Sequence, residues 1–201
     1  MAKTIVPDTL SDEQLVDLSL TDPDSYYYLI ERYEPKIFRY IKRISNLTGE
    51  ESEDLLQDIF IKAYRNLNSF NSKLKFSSWI YRIAHNETIS RYRKKKSYSA
   101  TIDSFVEDND SHHISDLLSE TFEVERDRIS KENAEKVNEV LALLPGKYRE
   151  VLILRYFEDQ SYKEISDILR KPPGSVATLI NRAKSKFKKI ARNHQLENLL
   201  W

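Results

Sequence analysis

Only three glycines, Gly49, Gly146 and Gly174, occur among 201 residues, while apolar residues recur at helical spacing almost from end to end. Tight hairpins and bulges lean on glycine's tolerance of left-handed backbone, and half-buried strands need a two-residue alternation. No segment offers that alternation. Three capping boxes, in which a Ser or Thr and a Glu or Gln three residues later satisfy each other's free N–H groups, mark helix starts at Ser11/Gln14, Thr48/Glu51 and Ser161/Glu164. The chain is predicted to be all-α.

The stripe Leu55/Leu56, Ile59/Phe60, Ala63/Tyr64, Leu67 continues the second box as one helix. Before it, "DPDSYYYLIERYEPKIFRYIKRIS" reads as helix, with Pro35 forcing a break or kink near Glu34 because proline lacks an N–H and crowds the residue before it. A polar break, Asn68–Lys75, precedes a helix from about Phe76 through Lys96. From Ser97 to about Glu125 periodicity fades into a Ser/Asp-rich stretch, as expected of a flexible linker with no core of its own. Helical pattern returns near Arg126, runs to Leu144, and resumes after Pro145-Gly146 in "KYREVLILRYF". A short helix then reaches about Lys171, Pro172-Pro173-Gly174 form a turn, and a last helix covers Ser175 to about Asn193. The expected organisation is two small helical domains, 1–96 and 129–201, joined by an acidic linker, 97–128.

The chain has no net charge, but that neutrality is a cancellation. Residues 1–96 carry 16 Lys and Arg against 14 Asp and Glu, residues 97–130 carry 2 against 9, and residues 131–201 carry 14 against 9. Two mildly basic blocks therefore flank an acidic strap, and a polyanionic partner is compatible with the whole. No cysteine is present, which excludes disulfides and thiolate metal sites and fits a reducing compartment. No window approaches the roughly 18 apolar residues of a membrane span, and "MAKTIVPDTLSDEQ" lacks a signal-peptide layout. A cytoplasmic protein is expected.

In the final helix, Val176, Leu179/Ile180, Ala183, Phe187 and Ile190 form an inward stripe, while Arg170 to Arg192 holds eight basic residues and no acidic one. A capped short helix, a tight turn and a longer cationic helix make the layout of a helix-turn-helix, whose second helix enters the major groove. Ser175, Ala177, Thr178 and Asn181 sit at the leading end, where base edges are approached. Arg182, Lys184 and Lys186 follow, with the lysines placed for phosphates. The block is expected to bind DNA.

In the amino-terminal block, Asp54, Gln57, Asp58 and Ile61 share one face opposite the apolar stripe. Spacing alone fits a solvated face and a docking face equally. On the next helix, Arg82, Arg91, Arg93, Lys94, Lys95 and Lys96 are interleaved with Phe76, Trp79, Tyr81 and Tyr92, the pattern of a single-strand binder. Phe76 and Trp79 at i, i+3 also suit a core, and one of the two is expected to be buried.

The succession of these blocks carries a resemblance. "DLLQDIFIKAY", then "F..WIYRIAHN" and a basic tail, is similar to the second conserved region of bacterial sigma factors. "LPGKYREVLILRYFEDQSYKEISDIL" with the helix-turn-helix resembles their fourth region. With no counterpart of the first or third region, a chain of this length is similar to the extracytoplasmic function group. The resemblance implies a factor that binds core RNA polymerase, directs it to promoters and assists their melting. It implies that Asp54, Leu55, Gln57, Asp58 and Phe60 meet the β′ clamp helices. It assigns minus-ten promoter DNA to Asn71, Phe76, Trp79, Arg82, Asn86 and Arg93, with Asn68–Lys75 as the loop accepting a flipped base. Minus-thirty-five DNA falls to Ser175, Ala177, Thr178, Asn181, Arg182, Lys184 and Lys186, on a domain that also meets the β flap. The strap would run toward the RNA exit channel, and an anti-sigma factor is an implied partner. Two departures stand out: Ala177 and Leu179 replace commonly basic residues, and Ser90 stands where aspartate is common.

A free-standing helix-turn-helix regulator is the alternative reading, and it predicts specific duplex binding without polymerase. An enzyme finds little support: there is no Gly-rich phosphate loop, and His85, His112, His113 and His194 are scattered. No cofactor and no metal are expected. The tail "HQLENLLW" suits either a helix cap or a partner contact.

Overall fold

The structure, a computed structural model, describes residues 9–45, 47–100 and 136–193, and of residues 96–100 the backbone alone. Its helices are α1 (Asp12–Thr21), α2 (Tyr26–Ile44), α3 (Gly49–Arg65), α4 (Phe76–Ala100), α5 (136–142), α6 (Gly146–Tyr156), α7 (Tyr162–Leu169) and α8 (Pro173–Asn193). No strand occurs among the described residues. The acidic strap from residue 101, the histidine pair 112–113 and the tail 194–201 lie outside them.

All three expected capping boxes form. The Ser11 and Gln14 pair bonds at 2.8 and 3.2 Å, Thr48 and Glu51 at 2.8 and 3.2 Å, and Ser161 and Glu164 at 2.7 and 3.2 Å. Each box starts a helix whose next residues are apolar at three- and four-residue spacing. On α2 the buried stripe is Tyr26, Leu29, Tyr33, Ile37, Tyr40, Ile41 and Ile44. Full burial of each such side chain stabilises by roughly 1.5–3 kcal/mol, so packing rather than propensity holds these helices.

Three boundaries differ from the sequence reading. No break occurs at Pro35: α2 runs through it. The missing hydrogen bond falls to the Glu31 carbonyl, and Glu31, Glu34, Pro35 and Lys36 all lie on the exposed side, where water can satisfy it. Helix α4 continues past Lys96 to Ala100, taking the first residues assigned to the linker. Pro173 and Gly174 belong to α8 rather than to the turn. Proline at the first helical position loses nothing, because that N–H has no intrahelical partner. The turn is instead Arg170–Pro172: Arg170 takes left-handed backbone with φ 51°, and the Pro172 carbonyl accepts from Ser175 and Val176 N–H groups at 2.9 and 3.1 Å. Tyr64, placed in the apolar stripe by its spacing, is 43% exposed, its ring tilted at 51° to that of Tyr26 with centroids 5.1 Å apart.

Helices α1–α4 build the first domain and α5–α8 the second. The two also pack directly, α2 against α6 and α4 against α7, and their buried side chains form one contiguous core. Helix α6 makes this possible. Val151, Leu152, Ile153 and Leu154 are all buried, and four successive residues point around most of a helix's circumference. Helices α7 and α8 cover part of α6, and α2 of the other domain lies against it as well.

Candidate nucleic-acid interface and docking face

On α8 the packing and the outward faces separate cleanly. Val176, Ile180, Ala183 and Ala191 are buried, and Leu179, Phe187 and Ile190 are partly so. Ser175, Thr178, Asn181, Arg182, Lys184 and Lys186 are exposed, and Ala177 is half-buried. Successive 100° steps set Thr178, Asn181 and Ser185 along the middle of the exposed face, with Arg182, Lys184 and Lys186 on its flanks. Thr178 and Ser185 donate their hydroxyls to the carbonyls of Gly174 and Asn181 at 2.9 and 3.1 Å, leaving oxygen lone pairs outward as acceptors. Lys184 and Lys186 rest on rings of α6: their Nζ atoms lie 5.2 Å from the Tyr156 centroid and 5.6 Å from that of Tyr148. Such contacts contribute about 0.5–1 kcal/mol at exposed sites, weak enough for a phosphate to displace.

On α3, Asp54, Gln57 and Asp58 are exposed, and Ile61 beside them is 48% exposed. Leu55 and Phe60 are not part of that face. They are 2% and 7% exposed, and the Phe60 carbonyl accepts the Tyr26 hydroxyl at 3.0 Å. They pack α3 on α2 beneath the acidic face rather than standing on it. Asp58 is held by Arg91 at 2.9 Å and Glu51 by Lys95 at 2.8 Å, so two cations of α4 reach back to α3.

Helix α4 is where sequence spacing misled most. Both Phe76 and Trp79 are buried, at 0% and 6% exposure, in an aromatic cluster with Tyr33 and Phe70 whose ring centroids lie 5.3–5.8 Å apart. Neither can stack on a base in this conformation. The Phe76 N–H donates to Glu13 Oε1 at 3.1 Å, which fastens the start of α4 to α1. Arg82 is half-buried, Asn86 and Arg93 are exposed, and Asn71 is exposed at a turn where its side chain accepts the Lys73 N–H at 3.0 Å. Ser90 is exposed on the same helix.

Polar groups that the sequence did not single out collect where the two domains meet. Arg43 pairs with Glu158 at 2.8 Å and lies over the Phe157 ring at 4.7 Å, and the Tyr81 hydroxyl donates to Glu158 at 2.5 Å. Lys75 pairs with Glu164 at 2.8 Å. Nearby, burial lowers the His85 pKa to about 4, with Arg93 and Lys171 adding to the effect. Burial raises the Glu150 carboxyl to about 7, against the pull of Arg149, Lys171 and Arg93. The "VLIL" run was the one sequence signal for this surface, being too apolar for a helix covered on one side only. Among the described residues no cluster could hold a metal ion, and no helix is long and apolar enough to cross a membrane.

Comparison with known proteins matches both blocks. Residues 29–98 match the family description "Sigma-70 region 2" and residues 134–187 match "Sigma-70, region 4". The chain is 35% identical over 173 residues to the ECF RNA polymerase sigma factor SigW of Bacillus subtilis, covering 86% of this chain and 91% of that one. It is 31% identical over 183 residues to the RNA polymerase sigma-H factor of Pseudomonas aeruginosa, covering 89% and 92%. In fold it is similar to CnrH, solved in complex with the cytosolic domain of CnrY, with a TM-score of 0.65 at 18% identity over 90% of this chain and 97% of that one. It is likewise similar to the sigma factor RpoE of Bartonella quintana, solved with the anti-sigma factor NepR, with a TM-score of 0.63 at 19% identity over 83% and 96%. Two regions in the expected order, one helical architecture and a relative matched over most of its length lead to one conclusion: the chain belongs to the ECF RNA polymerase sigma factors.

Proposed function

We propose that this sigma factor docks on core RNA polymerase through Asp54, Gln57 and Asp58 of α3, with Ile61 as an apolar anchor among them. Residues 1–96 then act as the polymerase- and minus-ten-binding domain, 97–128 as the linker and 129–201 as the minus-thirty-five domain. The observation that carries the docking assignment is the outward set on α3: three polar side chains and one large apolar one, all solvent-exposed on a helix whose other face is fully engaged. The role is non-catalytic, consisting of binding, orientation and strand capture, and it is exercised in the cytoplasm where the polymerase works.

On the DNA side, Asn71, Arg82, Asn86 and Arg93 meet the minus-ten strand directly, while Phe76 and Trp79 act as the scaffold beneath them. Ser175, Thr178, Asn181 and Arg182 approach base edges of the minus-thirty-five element, and Lys184 and Lys186 leave their tyrosines for phosphates. Fewer cations at the leading end of α8 give a shallower dependence on salt. Like the neighbour solved with the anti-sigma factor NepR, this chain takes an anti-sigma partner.

The double substitution Asp54→Ala with Gln57→Ala tests the docking face. Both residues are exposed, so the fold should melt within about 0.5 kcal/mol of the parent. Co-purification with core polymerase should be lost. Tight binding retained by the double variant would move the docking surface elsewhere.

A further inference from the structure

We propose that Glu13 of α1 is a positioning residue for minus-ten capture: it caps α4 from another helix and so fixes the end of the loop that takes the flipped base. The proposal rests on the assignment of Asn68–Lys75 as that loop. Glu13 lies ahead of residues 29–98, the stretch that matches region 2. Helix α4 begins without a cap of its own. The residue before it, Lys75, gives its carbonyl to the Trp79 N–H at 3.3 Å, but its side chain carries donors only and cannot satisfy a free N–H of the first turn. Glu13 Oε1 does so from 63 positions away, accepting the Phe76 N–H at 3.1 Å. A carboxylate at this place also meets the positive end of the helix.

The residues around Glu13 hold it to this task. Ser11 and Gln14 close the capping box of α1, and Asp12 accepts from Arg32 of α2 at 2.5 Å and from the Tyr33 hydroxyl. Leu15 and Val16 behind them are buried. One turn of α1 thus ties α2 and α4 together. Within the loop, Phe70 packs its ring against Phe76 and Trp79, with centroids 5.8 and 5.6 Å apart. Asn71, Ser72, Lys73 and Lys75 are left exposed between these anchors. A short span fixed at both ends has less freedom to lose when a base enters, and ordering a loop on binding costs affinity. Releasing the Phe76 N–H frays the first turn of α4 and loosens the second anchor.

The test uses holoenzyme assembled from the full chain and core RNA polymerase. The probe is a fluorescein-labelled fork of a promoter recovered by run-off transcription, duplex through the minus-thirty-five element and with the minus-ten non-template strand unpaired. A second fork carries abasic sites in place of the minus-ten bases. Glu13→Ala should weaken binding of the first fork roughly fivefold, the loss expected of one capping bond. It should bind the abasic fork and core polymerase as the parent does. Glu13→Gln keeps an oxygen acceptor at the same reach and should restore binding of the first fork. Asn71→Ala, within the loop, should weaken the first fork as well. Circular dichroism establishes that Glu13→Ala keeps its helices; if it does not, Glu13→Asp, one methylene shorter, takes its place. Parental binding by the Glu13 variant beside a weakened Asn71→Ala overturns the positioning role and leaves the loop assignment standing. Equal weakening on both forks, loss of core binding, or no recovery in Glu13→Gln overturns it too. Parental binding by the Glu13 variant and Asn71→Ala alike removes the loop assignment and the proposal together.

Discussion

Helices α4 and α8 are both long, basic and assigned to DNA, yet they are built in opposite ways. On α8 the residues that pack and the residues offered to DNA occupy separate faces, so changing one set leaves the other standing. On α4 the aromatic residues that could have stacked on bases are the core itself, Phe76 at 0% and Trp79 at 6% exposure. A binding surface made on one face can drift in sequence freely. A binding surface laid over an aromatic core is tied to the stability of the domain.

The largest expected effect separates the two. Phe76→Ala should destabilise the chain by about 3–5 kcal/mol, as for other large aromatic deletions, with promoter binding lost through unfolding. Asn181→Ala on α8 should melt within about 0.5 kcal/mol of the parent and affect only DNA. Urea titrations of the two variants check the contrast, and equal melting would break it. Next in size, Arg182→Ala should weaken promoter binding by roughly 1–3 kcal/mol if the guanidinium meets a base, and by less, evenly across sequences, if it meets phosphate. Competition against mutated minus-thirty-five duplexes tells these apart. Thr48→Ala, which deletes a cap of α3, should cost about 1 kcal/mol of stability and leave the minus-thirty-five affinity of the second domain unchanged.

The smallest expected effect is on pH. His85 takes a proton below 6.5 in the unfolded chain but only near 4 in the folded one, so its contribution makes stability fall as pH drops from 6.5 to 4. Glu150 loses its proton above 4.5 when unfolded and only near 7 when folded, so its contribution makes stability rise as pH drops from 7 to 4.5. The two slopes oppose each other in the parent. Glu150→Gln should uncover the loss of stability on acidification and His85→Gln the gain. Urea melts across this range would show it, and identical profiles for both variants would remove the burial of these two groups as a cause.

Local chemistry was the legible part of the sequence. The capping boxes at Ser11, Thr48 and Ser161 depend on atoms three residues apart, and all three form as read. The stripe of α8 was legible for the same reason. Pro173 was misread and Pro35 makes no break, because proline's effect depends on which side of a helix, and which turn of it, the residue occupies. The burial of Leu55, Phe60, Phe76 and Trp79 was not legible, because an apolar side chain in a family motif serves equally as support and as contact. The contact of Tyr81 with Glu158 spans 77 positions, and no spacing rule reaches that far.

The account stands or falls on transcription itself. The full chain would be mixed with core RNA polymerase and fragmented genomic DNA, and the run-off transcripts sequenced. The account predicts transcripts that start downstream of a shared two-part motif and disappear in the Asp54→Ala, Gln57→Ala double variant. Specific duplexes retained by the chain alone, with no transcripts above those of core polymerase, would contradict it and favour a free-standing regulator.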